Sequence, residues 1–425
     1  MKFSIITLGC KVNAYESEAM KELLITEGFI YEEEHINSDI VIINTCSVTN
    51  MADAKSRKII RRVRRENENA ILVVAGCSSQ NNQELYKEMD IDILIGNEKK
   101  SLIVKLIRDY LETHEKYCYL TKERNLPFES MNVLKFTSQT RAFIKIQDGC
   151  NNFCSYCIIP YVRGDIRSKD FDSIIEEAKT LVDNGHYELV LTGIHTGSYN
   201  YNGKDLVDLI RELSKIEDLK RIRISSIEIT ELNDKFMNLL KEEVKVCNHL
   251  HIPLQSGSDN VLKRMNRKYN KEYFKKVIDE IRSIRPGISI TTDIIVGHPY
   301  ETEEDFQECY EFAKEINFSK IHVFPYSVRN GTVAATMPNQ VAECDKKQRA
   351  HELLKLSNEL EKEYFTKFVG QKVSVLIEEN DDSNSYGHTD NYLRVVIEEL
   401  VPVNNFYNVE IIEIRDLNAI GKIVK

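Results

Sequence analysis

The stretch CNNFCSYC, residues 150–157, places three cysteines at C-x3-C-x2-C spacing directly after the apolar run Ala142 to Ile146. Three thiolates can hold three irons of a 4Fe-4S cube and leave the fourth iron free to bind a substrate. The alternatives are a zinc site and cysteines that only fill the core. Zinc fingers usually pair two CxxC or HxxxH units, and no second pair follows within about 25 residues. The spacing therefore favours an open iron-sulfur cluster.

An aromatic residue, Tyr156, precedes the last of these cysteines. The motif resembles the signature of radical S-adenosylmethionine (SAM) enzymes. This resemblance implies that Cys150, Cys154 and Cys157 hold a catalytic 4Fe-4S cluster whose open iron chelates SAM. In that superfamily, one electron from the reduced cluster cleaves the sulfonium and releases a 5′-deoxyadenosyl radical.

The composition indicates a large protein of the cytoplasm. The 425 residues, 42% of them hydrophobic, are enough for two or three domains. No run approaches the ~18 apolar residues of a membrane span, and the first residues form a strand-like run without the features of a signal peptide. Ten cysteines spread over such a chain favour thiolate ligands over disulfides. With a net charge of −10, RNA binding would need local basic patches.

The N-terminal third has three apolar runs that each lead to a cysteine. Cys10, Cys46 and Cys77 follow Phe3 to Leu8, Asp39 to Ile43 and Ala70 to Ala75, and helical segments lie between the runs. This pattern predicts an open parallel α/β sheet whose strand ends bring the three thiols together. One such cysteine would be read as a small buried residue. Three of them favour a second three-thiolate site.

The helix predicted after Cys46 carries seven cations between Lys55 and Arg65 with few acidic partners. The alternative is an ordinary solvated face, but we favour contact with phosphates. The predicted RNA-binding face contains Lys58, Arg61, Arg62 and Arg65. Other basic candidates are Arg163, Arg167, Lys263, Arg264, Arg267 and Lys268.

The central region alternates strand-like and helical segments and predicts a partial (β/α)6, TIM-like barrel. The strands are expected at Ala142 to Ile146, Glu188 to Thr192, Arg221 to Ile224, His249 to Leu254, Ser289 to Val296 and Lys320 to Phe324. The helices are expected near Ser168 to Asn184, Asp205 to Lys215, Asn233 to Glu243, Asn270 to Arg285 and Thr302 to Ile316. Resemblance to radical SAM enzymes adds cofactor-binding candidates on the loops: Tyr156, Gly193, Ser225, Ser226, Glu228, Gln255 and Val296.

A helical stretch from Gln340 to about Phe368 leads to strand-like runs that predict a small all-β module. The strands are expected at Val373 to Glu378, Leu393 to Glu398 and Asn408 to Ile414. The segment from Gln371 to Lys425 is acidic, which disfavours phosphate binding. Contact with RNA there would depend on shape and on residues such as Tyr386, His388, Tyr392 and Arg394.

Both cysteine triads, together with HIPLQSGS (251–258) and FPYSVRNGT (324–332), resemble the methylthiotransferases. The resemblance covers essentially the whole chain and implies three modules. These are an N-terminal α/β domain (1–125), a radical SAM barrel (136–368) and a TRAM-like β domain (369–425). It also implies that Cys10, Cys46 and Cys77 hold an auxiliary 4Fe-4S cluster that carries the sulfur, giving two 4Fe-4S clusters and SAM as cofactors.

Within that family, TLGCKVNAYES (7–17) and NTCSVT (44–49) resemble the branch that acts on N6-threonylcarbamoyladenosine in tRNA. The expected product is 2-methylthio-N6-threonylcarbamoyladenosine beside the anticodon, with a flavodoxin- or ferredoxin-type electron donor. The alternatives are an isopentenyladenosine tRNA methylthiotransferase and a non-catalytic iron-sulfur redox protein. One departure is GHPYET (297–302), where the family often has GFPGET. The shape of that loop is left open.

Overall fold

A computed structural model describes residues 1–136 and 139–424. Residues 137 and 138 of the expected barrel domain, and residue 425 of the expected β domain, lie outside the described residues. The fold is mixed α/β and ends in a closed β-barrel. No helix in the described part of the chain is both long and apolar enough to cross a membrane.

The N-terminal unit is a six-stranded parallel sheet with the order β2-β1-β3-β4-β5-β6. Its strands are β1 (Lys2–Thr7), β2 (Ile30–Tyr31), β3 (Ile40–Thr45), β4 (Ile71–Gly76), β5 (Ile93–Ile95) and β6 (Tyr117–Tyr119). Its helices are α1 (Lys11–Thr26), α2 (Asn50–Glu66), α3 (Cys77–Asn81), α4 (Gln83–Lys87) and α5 (Ile103–Thr113). Strands β3 and β4 are buried along their whole length, as expected for inner strands of a parallel sheet that is covered on both faces.

The central unit is a half-barrel in which helices cover the strands. Two parallel sheets, β13-β10-β7 and β14-β15-β16, meet where Ile222 bridges Val246. The six barrel strands are β7 (Ala142–Lys145), β10 (Glu188–Thr192), β13 (Arg221–Ile224), β14 (His249–His251), β15 (Ser289–Val296) and β16 (Lys320–Pro325). The short pairs are β8 (Gln147–Asp148) with β9 (Arg167–Ser168), and β11 (Asn200–Tyr201) with β12 (Lys204–Asp205).

The helices of this unit cover the barrel and then return along it. They are α6 (Ile159–Arg163), α7 (Phe171–Asp183), α8 (Leu206–Leu213), α9 (Asp234–Glu242), α10 (Asp259–Arg264), α11 (Lys271–Ile284), α12 (Glu303–Ile316), α13 (Val333–Thr336) and α14 (Glu343–Thr366). The predicted barrel is confirmed, but the predicted strand from His249 to Leu254 is too long. It ends at His251, because Pro253 has no N–H for the ladder and Gln255 has φ +66°.

The C-terminal unit is a closed five-stranded barrel with the order β17-β18-β19-β21-β20. Its strands are β17 (Lys372–Asn380), β18 (Ser385–Thr389), β19 (Arg394–Ile397), β20 (Phe406–Arg415) and β21 (Asn418–Ile423). Closure leaves this small sheet without a free edge. It docks on the central barrel through Arg221 and Arg223, which donate to the carbonyls of Ser374 and Thr389, among others, and pair with buried Glu188.

Candidate active site

The three N-terminal cysteines converge at one edge of the sheet. Cys10, Cys46 and Cys77 follow β1, β3 and β4, which are neighbouring parallel strands. The loops that follow β1 and β3 lie so close together that a Cβ at Gly9, where φ is +105°, would be 2.7 Å from the Cys46 sulfur. Only glycine suits this position. The predicted convergence is therefore present in the structure.

The chemistry of these thiols suits a metal cluster. Burial raises the pKa of Cys46 to about 11, so its thiolate needs a compensating positive charge. A coordinated metal supplies that charge and keeps the ligand deprotonated. In the described residues, no three His, Cys, Asp or Glu side chains gather around a single-ion position. A 4Fe-4S cube needs a wider arrangement, since each thiolate binds a different iron.

The second triad lies on the loop between β8 and α6. The Cys157 N–H donates to the Cys154 carbonyl at 3.0 Å, and the Cys150 N–H donates to the Gly164 carbonyl at 3.1 Å. A Cβ at Gly149, where φ is +74°, would lie 1.9 Å from the Asp165 carbonyl oxygen, so the loop requires glycine there. Burial raises the pKa of Cys157 to about 12, so its thiolate also needs the positive charge that a coordinated metal supplies.

Two basic side chains contact this second triad. The Arg267 guanidinium donates to the Cys154 sulfur at 3.3 Å and also pairs with Glu228. The Nδ1 atom of His195 lies 3.9 Å from the Cys150 sulfur, and its Nε2 atom lies 2.6 Å from the Glu231 carboxylate. Burial alone would lower the pKa of His195, but the interactions with Cys150 and Glu231 raise it to about 10. Both residues therefore bring positive charge to the thiolates.

A single arginine connects the two thiol sites. Arg163, six residues after Cys157 and at the end of α6, donates from Nε to the Cys77 sulfur at 3.2 Å. Its other nitrogens donate to Asn13 at 2.9 Å and to Glu16 at 2.9 Å. The loop of one triad thus reaches a ligand candidate of the other.

Arg163 belongs to a buried charge network at the junction of the N-terminal sheet and the barrel. The Glu16 carboxylate accepts from Lys100 at 2.6 Å, Lys145 at 2.7 Å and Arg163 at 2.9 Å. Asp148 pairs with Lys145 at 2.6 Å, and the Glu16, Lys100 and Arg163 side chains have no exposed area. Burial alone would raise the pKa of Glu16, but the three cations hold it well below its usual range. The network holds the two units in one orientation.

A second arginine joins the units beside Cys46. Arg329, in the FPYSVRNGT motif, donates to Ser47 at 2.6 Å and Asn50 at 2.7 Å and pairs with Asp53 at 2.7 Å. These partners lie on the loop after Cys46 and at the start of α2. Thr49 caps this helix by accepting from the Ala52 N–H.

Several of the predicted SAM-binding residues lie at or just after the carboxyl ends of barrel strands. Gly193 follows β10, Ser225 follows β13, and Val296 is the last residue of β15. Ser225 lies 3.4 Å from the Thr196 hydroxyl, and the Gln255 backbone pairs with Asp293 and Ile295. Ser226, Glu228 and Tyr156 lie on the same group of loops and are half-buried. Their role in binding SAM stays a prediction.

A cleft of about 870 Å³ opens between the three units. It is lined by Gly9 and Lys11 of the N-terminal unit, by Ser225, His249, His251, Asp293 and His322 of the barrel, and by His388, Tyr392 and Arg394 of the C-terminal unit, among others. The Tyr392 ring stacks on His249 with 4.8 Å between ring centroids. Tyr392 and His388 therefore face the interior of the molecule, next to the residue that follows Cys10.

Comparison with known proteins agrees with this arrangement. The Radical SAM superfamily matches residues 144–313, and Uncharacterized protein family UPF0004 matches residues 2–96. A Bacillus subtilis protein, "Threonylcarbamoyladenosine tRNA methylthiotransferase MtaB", is 44% identical over 92% of this chain and 89% of its own length. Its Aquifex aeolicus namesake is 39% identical over 89% of this chain and 94% of its own length. This chain belongs to the radical SAM methylthiotransferase family.

Two further comparisons show the breadth of the methylthiotransferase family and of its fold. A "tRNA-2-methylthio-N(6)-dimethylallyladenosine synthase" from a Thermoanaerobacter species is 36% identical over the whole chain and 93% of its own length. Among solved structures, the radical SAM methyltransferase TsrM from Kitasatospora setae has a TM-score of 0.58 over 79% of this chain and 76% of its own. At 14% identity, that likeness concerns the fold alone.

For three basic residues of this methylthiotransferase, the suggested contact with RNA is wrong. The side chains of Arg163, Arg167 and Arg267 are at most 7% exposed and are paired with carboxylates of the protein, so they do not form a basic surface. A run of charges in one sequence does not reveal that its partners come from distant segments. Arg64 of α2 likewise turns inward, to Asp92 at 2.5 Å.

Four other cations of α2 lie on the surface of the protein. Lys58, Arg61, Arg62 and Arg65 are exposed, and only Arg62 of the four has an ion pair within the described residues, with Glu66 at 3.5 Å.

In the GHPYET segment, Tyr300 has φ +66°, a conformation that glycine adopts without strain. The loop keeps this shape because the Tyr300 N–H and carbonyl bond to Asn339 and Arg264.

Proposed function

We propose that this protein methylthiolates C2 of N6-threonylcarbamoyladenosine beside the anticodon of tRNA and so produces 2-methylthio-N6-threonylcarbamoyladenosine. The observation that carries the proposal is the pair of three-thiol sites joined by Arg163. The substrate assignment rests on the Bacillus subtilis and Aquifex aeolicus relatives, at 44% and 39% identity. The dimethylallyladenosine enzyme, at 36% identity, is the alternative.

Membership of the radical SAM superfamily implies SAM and one 4Fe-4S cluster. The residues that would hold this cluster are Cys150, Cys154 and Cys157. We extend this with a second 4Fe-4S cluster on Cys10, Cys46 and Cys77 as the source of sulfur. When bound, these cofactors would supply the radical chemistry that breaks an aromatic C–H bond, for which no easy polar route exists.

The protein side chains orient the reactants and neutralise charge. Arg267 and His195 offset the negative charge of the second triad, and Arg163 does the same at Cys77. The SAM-binding set would be Tyr156, Gly193, Ser225, Ser226, Glu228, Gln255 and Val296. We divide the chain into an α/β domain (1–125), a radical SAM barrel (136–368) and a TRAM-like domain (369–425).

The macromolecular partners follow from this reaction. The exposed Lys58, Arg61, Arg62 and Arg65 on α2 would contact tRNA phosphates. A flavodoxin- or ferredoxin-type protein would deliver the electron. We further propose that the enzyme acts in the cytoplasm, where it would meet a tRNA substrate.

Nucleoside mass spectrometry of tRNA from a strain that lacks this gene tests the function. The methylthio derivative of threonylcarbamoyladenosine should disappear, and its unmethylthiolated precursor should accumulate. Loss of a methylthiolated dimethylallyladenosine instead would support the alternative.

The two-cluster arrangement is tested by iron content. Replacing Cys10, Cys46 and Cys77 with Ala should remove about half of the iron, since each cube holds four irons. SAM cleavage by the variant should persist, while methylthio transfer is lost. Iron content equal to that of the unaltered protein would contradict a second cluster. The same changes at Cys150, Cys154 and Cys157 should abolish SAM cleavage.

A further inference from the structure

Lys11 is a cation at the wall of the cleft between the three units. It follows Cys10 directly and is the first residue of α1. Its side chain is exposed, and no hydrogen bond or ion pair to it is found within the described residues. The other cleft lysine, Lys320, already pairs with Glu361 at 2.9 Å. Lys11 therefore has a positive charge to offer to a molecule that enters.

A second observation also points to a ligand in this cleft. The Nδ1 atom of His249 is buried in the cleft wall and has no hydrogen-bond partner among the described residues. Its Nε2 atom is satisfied by the Thr291 hydroxyl at 3.1 Å, and Tyr392 stacks on its ring. Buried polar atoms are rarely left unsatisfied, so this atom marks a place for an absent polar group.

The charges around the cleft favour an anionic group near Lys11. Asp293 is engaged by His251 at 3.3 Å, and Glu361 by Lys320. Arg141 and Arg223 lie over the Tyr392 ring, 5.4 and 4.6 Å from its centroid. Asp416 is the remaining carboxylate of the lining. Arg141 and Arg223 are themselves paired with Glu378 and Glu188, and Arg394 with Glu379. Lys11 is thus the cation of the lining that has no carboxylate partner within the described residues.

We infer that the Lys11 ammonium binds the carboxylate of the threonyl group on the substrate adenosine. This inference rests on the proposed function. A threonine linked through its amine to a carbamoyl group keeps a free carboxylate, whereas a dimethylallyl group has no charge. The carboxylate lies several bonds from C2, the carbon that receives sulfur. Lys11 follows a proposed cluster ligand, and its four-carbon stem carries the ammonium away from that ligand.

Lys11 then acts as a specificity residue rather than a catalytic one. A site built to pair with a charged group discriminates against an analogue that lacks the group, because the bound analogue shields the ammonium from water without giving it a counter-charge. Pairing of the Lys11 ammonium with the threonyl carboxylate should favour the charged substrate over an uncharged analogue by roughly 10- to 150-fold. This is the range expected when a hydrogen bond to a charged group is removed.

The test uses reconstituted enzyme and three anticodon stem-loops. One carries N6-threonylcarbamoyladenosine, one carries the same nucleoside with its carboxylate converted to a methylamide, and one is unmodified. Binding affinity and kcat/KM are measured for the unaltered protein and for K11Q, K11R and K215Q. Lys215 is an exposed lysine on the outside of the barrel that pairs with Glu212, and it serves as the matched control.

The unaltered protein and K215Q should prefer the carboxylate over the methylamide by roughly 10- to 150-fold. K11Q should lose this preference by binding the carboxylate form more weakly, with the methylamide form unchanged, and K11R should retain most of it. Iron content and SAM cleavage without RNA should not change in K11Q.

Three results would overturn the inference. Equal weakening of all three stem-loops would assign Lys11 to backbone phosphates. Loss of SAM cleavage without RNA would assign it to the cofactor. A K11Q variant with undiminished preference would show no role in recognition. Failure of the proposed function is a separate outcome, because the unaltered protein would then not methylthiolate the threonylcarbamoyl stem-loop.

Discussion

Replacing Glu16 with Gln should strongly destabilise the junction between the N-terminal sheet and the barrel. The change keeps the size of the side chain but removes the charge that Lys100, Lys145 and Arg163 share at 2.6 to 2.9 Å. Lys145 and Arg163 would retain Asp148 as a counter-charge. Lys100 would retain the Asn97 carbonyl but no carboxylate partner within the described residues. Breaking one partner of a fully buried ion pair costs about 3–5 kcal/mol.

This loss is a large fraction of the typical stability of a folded protein, roughly 5–15 kcal/mol. The measurement is urea denaturation followed by circular dichroism and by tyrosine fluorescence, since the chain has no tryptophan. Hydrogen exchange of the α1 amides reports on the junction itself. We expect a lower denaturation midpoint and faster exchange in α1, with C-terminal barrel amides unaffected.

Two further variants test whether the buried charges hold the junction. The exposed pair of Glu212 with Lys215 gives a matched control, and E212Q should leave the midpoint unchanged. The double variant with Glu16→Gln and Lys100→Met should recover part of the loss, because it removes an uncompensated buried cation. An E16Q protein with the midpoint and α1 exchange of the unaltered protein would show that the network does not hold the junction.

Three other expectations can be checked on the same protein. Replacing Cys118, Cys247, Cys309 and Cys344 with Ser or Ala should preserve iron content, because they lie outside both triads; loss of about four irons would reveal a misassigned ligand. Burial lowers the pKa of His298 to about 4, so the imidazole stays neutral in the folded protein at pH 5. In the unfolded chain the same imidazole takes up a proton below about pH 6.5. Unfolding free energy should therefore fall between pH 7.5 and 5 by roughly 2 kcal/mol more than in H298Q, and parallel pH profiles would contradict this. Reversing Arg61, Arg62 and Arg65 to Glu should weaken tRNA binding and flatten its salt dependence by about 0.9 per lost phosphate contact, whereas unchanged affinity at low and high salt would make this face merely solvated.

The barrel strands could be predicted because each is a short apolar run bounded by polar turns. Glu188–Thr192, Arg221–Ile224 and Ser289–Val296 have the predicted limits. Two strands of the C-terminal barrel, Ser385–Thr389 and Asn418–Ile423, were missed. Each contains a glycine and a mixture of polar residues, and its pairing with distant strands decides its conformation.

The convergence of each cysteine triad could also be predicted, because the end of a strand and a motif of eight residues are local features. The partners of the charged residues could not. Arg163 follows the motif at a position where a surface cation would be equally plausible, and only the fold brings Glu16, Cys77 and Asp148 around it. The spacing of charges predicts pairs within a helix but says nothing about pairs between units.

The placement of these arginines explains why buried charge is retained at the junction. Apolar packing could join the two units as strongly, but it tolerates small shifts in orientation that a directional guanidinium pair does not. Arg163 contacts Cys77, and Arg329 bonds to Ser47, the residue that follows Cys46. Both arginines belong to the barrel unit, so they tie the proposed sulfur-carrying site to the barrel that would generate the radical. A reaction between groups held on two separate units depends on their distance, and a misplacement of about 1 Å can cost 100-fold in rate.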